Sequence, residues 1–194
     1  MDFNNIKKRI ERIYASINER FDNDLEKHIN IEKKVTDSFQ SFKVSFDKKQ
    51  KEAEISNKII SIIHNLANIK DNLKNKLKGR GEDPNLIEQE INNSLPVKIV
   101  IDLSNQEKYG YPLTKYIRSY KNPQICNIES ILRISNGEFM FDPITEQINS
   151  SGGCGIAIKA DINDGQGNFI CRLDKLIDDV IVEWGKIINK YNIT

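Results

Sequence analysis

Seven cations and three tyrosines carry the clearest chemical signal in this chain. Lys70, Lys74 and Lys78 recur at spacings of four, so on a helix they form one basic ridge, with Arg80 following at its end. Further along, Lys115, Arg118 and Lys121 are interleaved with Tyr111, Tyr116 and Tyr120. Cations neutralise phosphates and aromatic rings offer faces on which bases stack, so this set suits RNA or another phosphate-bearing ligand. Two plainer accounts fit the same residues. The macrodipole favours cations at a helix C-terminus, and a tyrosine-rich stretch serves equally as a solvated loop.

A compact polar group, Ser104-Asn105-Gln106-Glu107-Lys108-Tyr109, closes an apolar helical run that begins at Leu95. Asp71, Asp102, Asn105 and Lys108 would also suit an internal polar network that fixes helix ends. Other chemistries are poorly supplied. The two histidines, His28 and His64, have no Cys or His neighbour at ligand spacing, and neither HExxH nor a Cys/His cluster occurs, so no metal is expected. Asn149-Ser150-Ser151-Gly152-Gly153-Cys154-Gly155 has the glycine content of a phosphate loop without the lysine and Ser/Thr order that brings amides and cation together; it reads as a loop before a strand. Asp161-Ile162-Asn163-Asp164-Gly165 begins like a calcium loop, but arginine stands where the closing carboxylate belongs, and a hairpin turn is the better account. Cys154 has no base nearby in sequence, and no cofactor is implied.

Long helices must position these groups if the first part of the chain follows its pattern. No Gly or Pro occurs before Gly79. Ile6, Ile10, Ile13, Ile17 and Phe21 recur at three and four, continuing through Leu25, Val35, Phe39, Phe42 and Phe46, which predicts a helical arm or helical hairpin over residues 1–46, with Thr36-Asp37-Ser38 a cap for its second part. Ile55, Ile59, Ile62, Leu66, Ile69, Leu73 and Leu77 predict a second helix from Lys48 to Lys78, stopped by Gly79-Arg80-Gly81. Pro84 and Pro96 suit the first turns of two more, Asn85 to Asn93 and Val97 to about Lys108.

Beyond Gly110 the texture changes. Alternating apolar positions predict strands at Ile125–Ser135, Glu138–Phe141 and Ile156–Ile162, with a turn at Asn163–Gly167 and a strand to Arg172. Leu173, Leu176, Ile177, Val180, Ile181, Trp184, Ile187 and Ile188 then return to helical spacing. The expected architecture is α+β, mainly α: an arm at 1–46, and a helical bundle at 47–194 whose small antiparallel sheet, at about 125–172, is inserted before the C-terminal helix, all in one compact unit.

Composition limits the function classes. Among 194 residues, 29 Lys/Arg nearly cancel 28 Asp/Glu, which is no nucleic-acid tail, although residues 1–78 hold 17 of the cations against 12 acids. Cys126, Cys154 and Cys171 are odd in number and widely spaced, so a reducing compartment is favoured over a disulfide framework. The first residues lack a signal-peptide core, and no window approaches the ~18 apolar residues of a membrane helix, so a cytoplasmic protein is expected.

Helices framing a polar knot at the end of an apolar helix resemble the HEPN superfamily, many of whose members are metal-independent ribonucleases or nucleic-acid-linked toxins. In that signature an arginine neutralises the scissile phosphate and a histidine, separated from it by four to six residues, assists attack by the ribose 2′-hydroxyl. Here Ser104 stands at the arginine position and Tyr109 at the histidine position, with Asn105 retained. Residues 63–73, 102–109 and the later sheet are also similar to a narrower group of uncharacterised bacterial helical proteins with an Asn-x-x-Lys-His element. The resemblance implies a HEPN-like bundle acting as a non-catalytic interaction or RNA-binding module in a bacterial stress or defence system, with helical pairing into a homodimer. An alternative is a ribonuclease or toxin with an altered site, using Lys108 as phosphate cation, Asn105 as orienter and Tyr109 as proton donor. Tyrosine, with a pKa near 10, is a poor base at neutral pH but still donates hydrogen bonds, so binding survives the replacement more easily than cleavage. A third reading is a structural protein that binds a partner through long N-terminal helices.

Overall fold

The computed structural model describes residues 8, 10, 11, 13, 18–21, 29–35, 40–46, 48–115, 117–135, 139–142, 147–150 and 153–193. The fold is α+β, mainly α, with the antiparallel sheet preceding the C-terminal helix. The chain divides into two compact units: Met1–Ser16, Lys58–Glu129 and Lys159–Thr194 form the first, and Ile17–Asn57 with Ser130–Ile158 the second.

The first unit holds the large apolar core. Helix α1, Lys48–Ala67, brings Ile59, Ile62, Ile63 and Leu66 into it, and α2, Ile69–Gly79, adds Ile69, Leu73 and Leu77. The single helix expected over Lys48–Lys78 is thus two, joined at Asn68. There the amide of Asn68 still donates to the His64 carbonyl at 2.9 Å, while its own carbonyl accepts from Asp71 at 3.2 Å, a tighter three-residue step. Helix α2 ends where Gly81, at φ +77°, donates to the Lys78 carbonyl and the Glu82 amide reaches back to Leu77, a closure that requires a positive φ.

Pro84 and Pro96 open α3, Asn85–Asn93, and α4, Leu95–Tyr109, as their missing amide hydrogens allow. Helix α4 is buried from Ile99 through Ser104 on every side, which explains why its sequence is apolar without a one-sided stripe. Helix α5, Leu173–Lys190, packs against α4 and buries Leu173, Leu176, Ile177, Val180, Trp184, Ile187 and Ile188. The Trp184 indole, 0% exposed, donates to the Leu66 carbonyl at 3.1 Å, next to the α1–α2 join. Near the start of the chain Lys8, Ile10, Glu11 and Ile13 are helical, with Ile13 in the core.

Residues 18–46 depart from expectation. In place of a helical arm, the described residues form β1, Asn18–Phe21, β2, Ile29–Val35, and β3, Gln40–Phe46. The last two pair antiparallel, with Ile29 opposite Phe46 and Ile31 opposite Val44. The physical reason is legible afterwards: Ile29-x-Ile31 and Phe42-x-Val44-x-Phe46 alternate with period two and are β-branched or aromatic, so the seven-and-four helical spacing of Val35, Phe42 and Phe46 was one of two periods on offer. The partner-binding reading built on long N-terminal helices loses its premise there. Leu25, His28, Phe39 and the Thr36-Asp37-Ser38 cap lie outside the described residues.

The later strands are β4, Gln124–Ser135, β5, Phe139–Asp142, β6, Gln147–Ser150, β7, Gly153–Asn163, and β8, Phe169–Arg172. Strand β7 is central: β1 and β8 pair with it antiparallel, β4 is its neighbour, and β5–β6 form a separate hairpin. Between β7 and β8 the Asp164 carboxylate accepts from the Gln166 and Asn168 amides at 2.9 and 2.8 Å, with Gly167 at φ +86°, so the calcium-like residues make the hairpin turn expected of them. Among the described residues no helix is long and apolar enough to cross a membrane.

Candidate functional site

The C-terminal end of α4 is polar because it does two jobs on adjacent faces. Asp102, 0% exposed, turns towards the 110–123 loop and accepts three hydrogen bonds from it: the Arg118 amide at 2.8 Å, the Ser119 amide at 2.8 Å and the Ser119 hydroxyl at 2.5 Å. One turn later the Gln106 side chain donates to the Pro123 carbonyl at 2.7 Å. Within the loop the Leu113 amide donates to Asn122 Oδ1 at 3.1 Å, and Leu113 is buried. A loop rich in Gly, Pro and Tyr therefore has a fixed path, with Arg118 directed by the amide that Asp102 holds.

That path creates a cavity of about 340 Å³ lined by Lys70 from α2, Asn105 and Tyr109 from α4, and Ile117 and Arg118 from the loop. Asn105 and Tyr109 are four apart on the helix and so share a face. Tyr109 is 67% exposed at the rim. Arg118 is anchored from behind by Glu88 of α3, its Nη1 donating to Oε2 at 2.6 Å, while Lys74 pairs with the other carboxylate oxygen. Burial pushes the Glu88 carboxyl up, but hydrogen bonds from Arg118 and Lys74 outweigh it, and the group is held below its ordinary range. Burial lowers the Lys70 ammonium pKa, opposed by Asp71 and Glu88 and reinforced by Arg118 and Lys74. Lys70 has no ion-pair partner among the described residues.

The expected site residues separate into distinct places. Asn105, Tyr109, Lys70 and Arg118 converge on the cavity, and Lys74 stands behind it on Glu88. Lys108 is exposed and lies outside the lining, as do the exposed Lys78, Lys115 and Lys121. Arg80 serves the far end of α5, donating to the Tyr191 and Asn192 carbonyls at 2.9 and 2.6 Å. Tyr111 and Tyr120 are exposed, the latter at 89%; Tyr116 lies outside the described residues. The internal network of Asp71, Asp102, Asn105 and Lys108 does not form as a unit: Asp102 alone is buried, and Asp71 and Lys108 are exposed.

Two participants had no sequence signal. Glu88 joins Lys74 and Arg118 across separations of 14 and 30 residues, with nothing local to mark it. His64 Nδ1 lies 2.8 Å from Ser104 Oγ, so Ser104 is held by a histidine 40 residues away. Ser104 is buried and His64 half-buried, and neither lines the cavity.

Chemically, the cavity offers two cations, a carboxamide, a phenol and an apolar side chain, the complement of an anion attached to a flat group. Among the described residues its lining includes no carboxylate or histidine, and no group of three or more His, Cys, Asp or Glu side chains is placed to hold a metal ion. No family model, curated protein or solved structure matches the chain.

Proposed function

We propose that the protein is a non-catalytic, HEPN-like RNA-binding module in which the end of α4 keeps the position of a ribonuclease site and retains binding without cleavage. The observation that carries this reading is the convergence of Lys70, Arg118, Asn105 and Tyr109 on one open cavity. Lys70 and Arg118 neutralise phosphate, Tyr109 presents a ring for a base, and Asn105 offers both donor and acceptor to a base edge or ribose hydroxyl. Attack by a 2′-hydroxyl needs a general base poised near neutrality, and a phenol is poorly matched to that task.

Titration of the purified protein with labelled single-stranded RNA at several salt concentrations tests the proposal. Two phosphate contacts give a log–log salt slope of about −1.4, and Lys70→Gln or Arg118→Gln each reduces its magnitude by about 0.7. Binding without salt dependence, or a slope that neither substitution moves, refutes it.

The altered-site ribonuclease is the second reading, favoured by Asn105 and Tyr109 sharing the cavity with the cations Lys70 and Arg118. RNA incubated with the protein in EDTA decides it. Cleavage abolished by Tyr109→Phe and Lys70→Gln establishes this reading; intact RNA removes it.

A further inference from the structure

We infer that the cavity holds one nucleotide bearing a phosphate monoester, whether as a free mononucleotide or as the phosphorylated end of a strand. This rests on the phosphate-binding reading above and narrows it to a ligand. Size is the first argument. A cavity of about 340 Å³ sits at the lower end of the ~300–1,000 Å³ typical of small-ligand pockets, a size that suits one nucleotide.

Donor count is the second. Arg118 commits Nη1 to Glu88 and its backbone amide to Asp102, which fixes the guanidinium while leaving its remaining N–H groups for a ligand. The three ammonium hydrogens of Lys70 have no ion-pair partner among the described residues. A monoester presents three terminal oxygens and about −1.5 to −2 charges near neutrality, whereas an internal diester presents two such oxygens and one charge. Glu88 takes ion pairs from both Lys74 and Arg118 and none from Lys70, which leaves the Lys70 ammonium to meet an anion in the cavity. Glu88 thereby becomes a positioning residue: it pre-orders Arg118 and lowers the number of rotamers lost when phosphate arrives.

The third argument is the other part of the lining. Tyr109 and Ile117 supply a flat and an apolar surface beside the two cations, and Asn105 supplies paired hydrogen-bonding atoms. A bare inorganic anion uses none of these. A nucleoside monophosphate uses all of them.

Calorimetric titration of the full chain with adenosine 5′-monophosphate, adenosine and inorganic phosphate tests the inference, alongside a short RNA carrying a 5′-phosphate or a 5′-hydroxyl. Adenosine 5′-monophosphate is expected to bind at least about tenfold more tightly than either half alone. Lys70→Gln weakens the monophosphate and inorganic phosphate alike by about tenfold. Tyr109→Leu, at an exposed rim position, weakens the monophosphate by about tenfold and leaves inorganic phosphate unchanged. If Lys70→Gln fails to fold, the Tyr109→Leu contrast and the shift of the Asn105 side-chain amide resonances on adding monophosphate decide the matter. Preference for the 5′-phosphorylated RNA assigns the site to strand ends; tight monophosphate binding with no such preference assigns it to free nucleotides. Salt-sensitive RNA binding that ignores both the terminal phosphate and competing monophosphate overturns the inference while leaving the RNA-binding module intact. Monophosphate binding without RNA binding does the reverse. Equal affinity for all three small ligands, unmoved by either substitution, overturns it outright.

Discussion

Replacing Asp102 with alanine should cost more stability than any other single change at the cavity, although Asp102 touches no ligand. Its carboxylate is fully buried and accepts from the Arg118 amide, the Ser119 amide and the Ser119 hydroxyl, at 2.8, 2.8 and 2.5 Å. Alanine removes all three acceptors and strands the donors on the loop side. A buried donor left unsatisfied costs about 1–3 kcal/mol, and the Arg118 amide, half-buried, recovers part of that from water, so the expected loss is about 3–4 kcal/mol. Against the ~5–15 kcal/mol that keeps a domain folded, this is a large fraction.

Urea unfolding followed by the fluorescence of Trp184 measures it, because the chain has 1 tryptophan and that residue is buried in the same unit. Ser119→Ala, which removes only the hydroxyl bond, should cost about 1 kcal/mol. The double variant should then fall short of the sum, since both substitutions delete one shared interaction. A loss below about 1 kcal/mol for Asp102→Ala, or strict additivity with Ser119→Ala, would refute the claim that this carboxylate fixes the loop. The same variant should weaken ligand binding at the cavity by releasing Arg118, in proportion to the loop's loss of order.

Glu88 gives the site a pH signature: its folded-state carboxyl is held below the ordinary 4.5, so the stability it contributes is complete above that value and disappears as pH falls through the lower folded-state value. Urea midpoints between about pH 7 and about pH 3 should decline less steeply in Glu88→Gln than in the parent chain, and parallel declines would contradict the assignment. Arg80→Ala should cost about 1 kcal/mol through loss of its bonds to the Tyr191 and Asn192 carbonyls while leaving RNA affinity and its salt slope unchanged. A reduced slope in that variant would return Arg80 to the ligand surface.

How much of this was readable beforehand depends on whether a residue's role is local. Pro84, Pro96 and Gly81 act through their own backbones, and helices α3 and α4 and the end of α2 fall where those residues predict. Asn163–Gly167 likewise builds its turn from its own amides and one carboxylate. The period of residues 18–46 was ambiguous because Val35, Phe42 and Phe46 satisfy a helical spacing while Phe42, Val44 and Phe46 satisfy an extended one. Absence of Gly and Pro removed helix breakers without supplying helix formers, and the choice passed to strand partners: Ala157 opposite Asn18, and β3 opposite β2. The cavity was half legible. The cations and tyrosines stood out in the sequence, but which of them share a space is decided by contacts between α2, α3, α4 and the loop, so Glu88 entered unannounced and Arg80 and Lys108 dropped out.

Helix geometry explains why one short polar group looked catalytic. At 100° per residue, Asp102 and Gln106 lie on one stripe of α4 and Asn105 and Tyr109 on another, about 60° away. The first stripe ties down the 110–123 loop; the second faces the cavity that the tied loop encloses. A helix end that both builds a wall and furnishes the room behind it must be polar on two faces, whatever reaction takes place there. The polar knot is therefore accounted for by the fold itself: one of its faces holds the loop and the other lines the cavity.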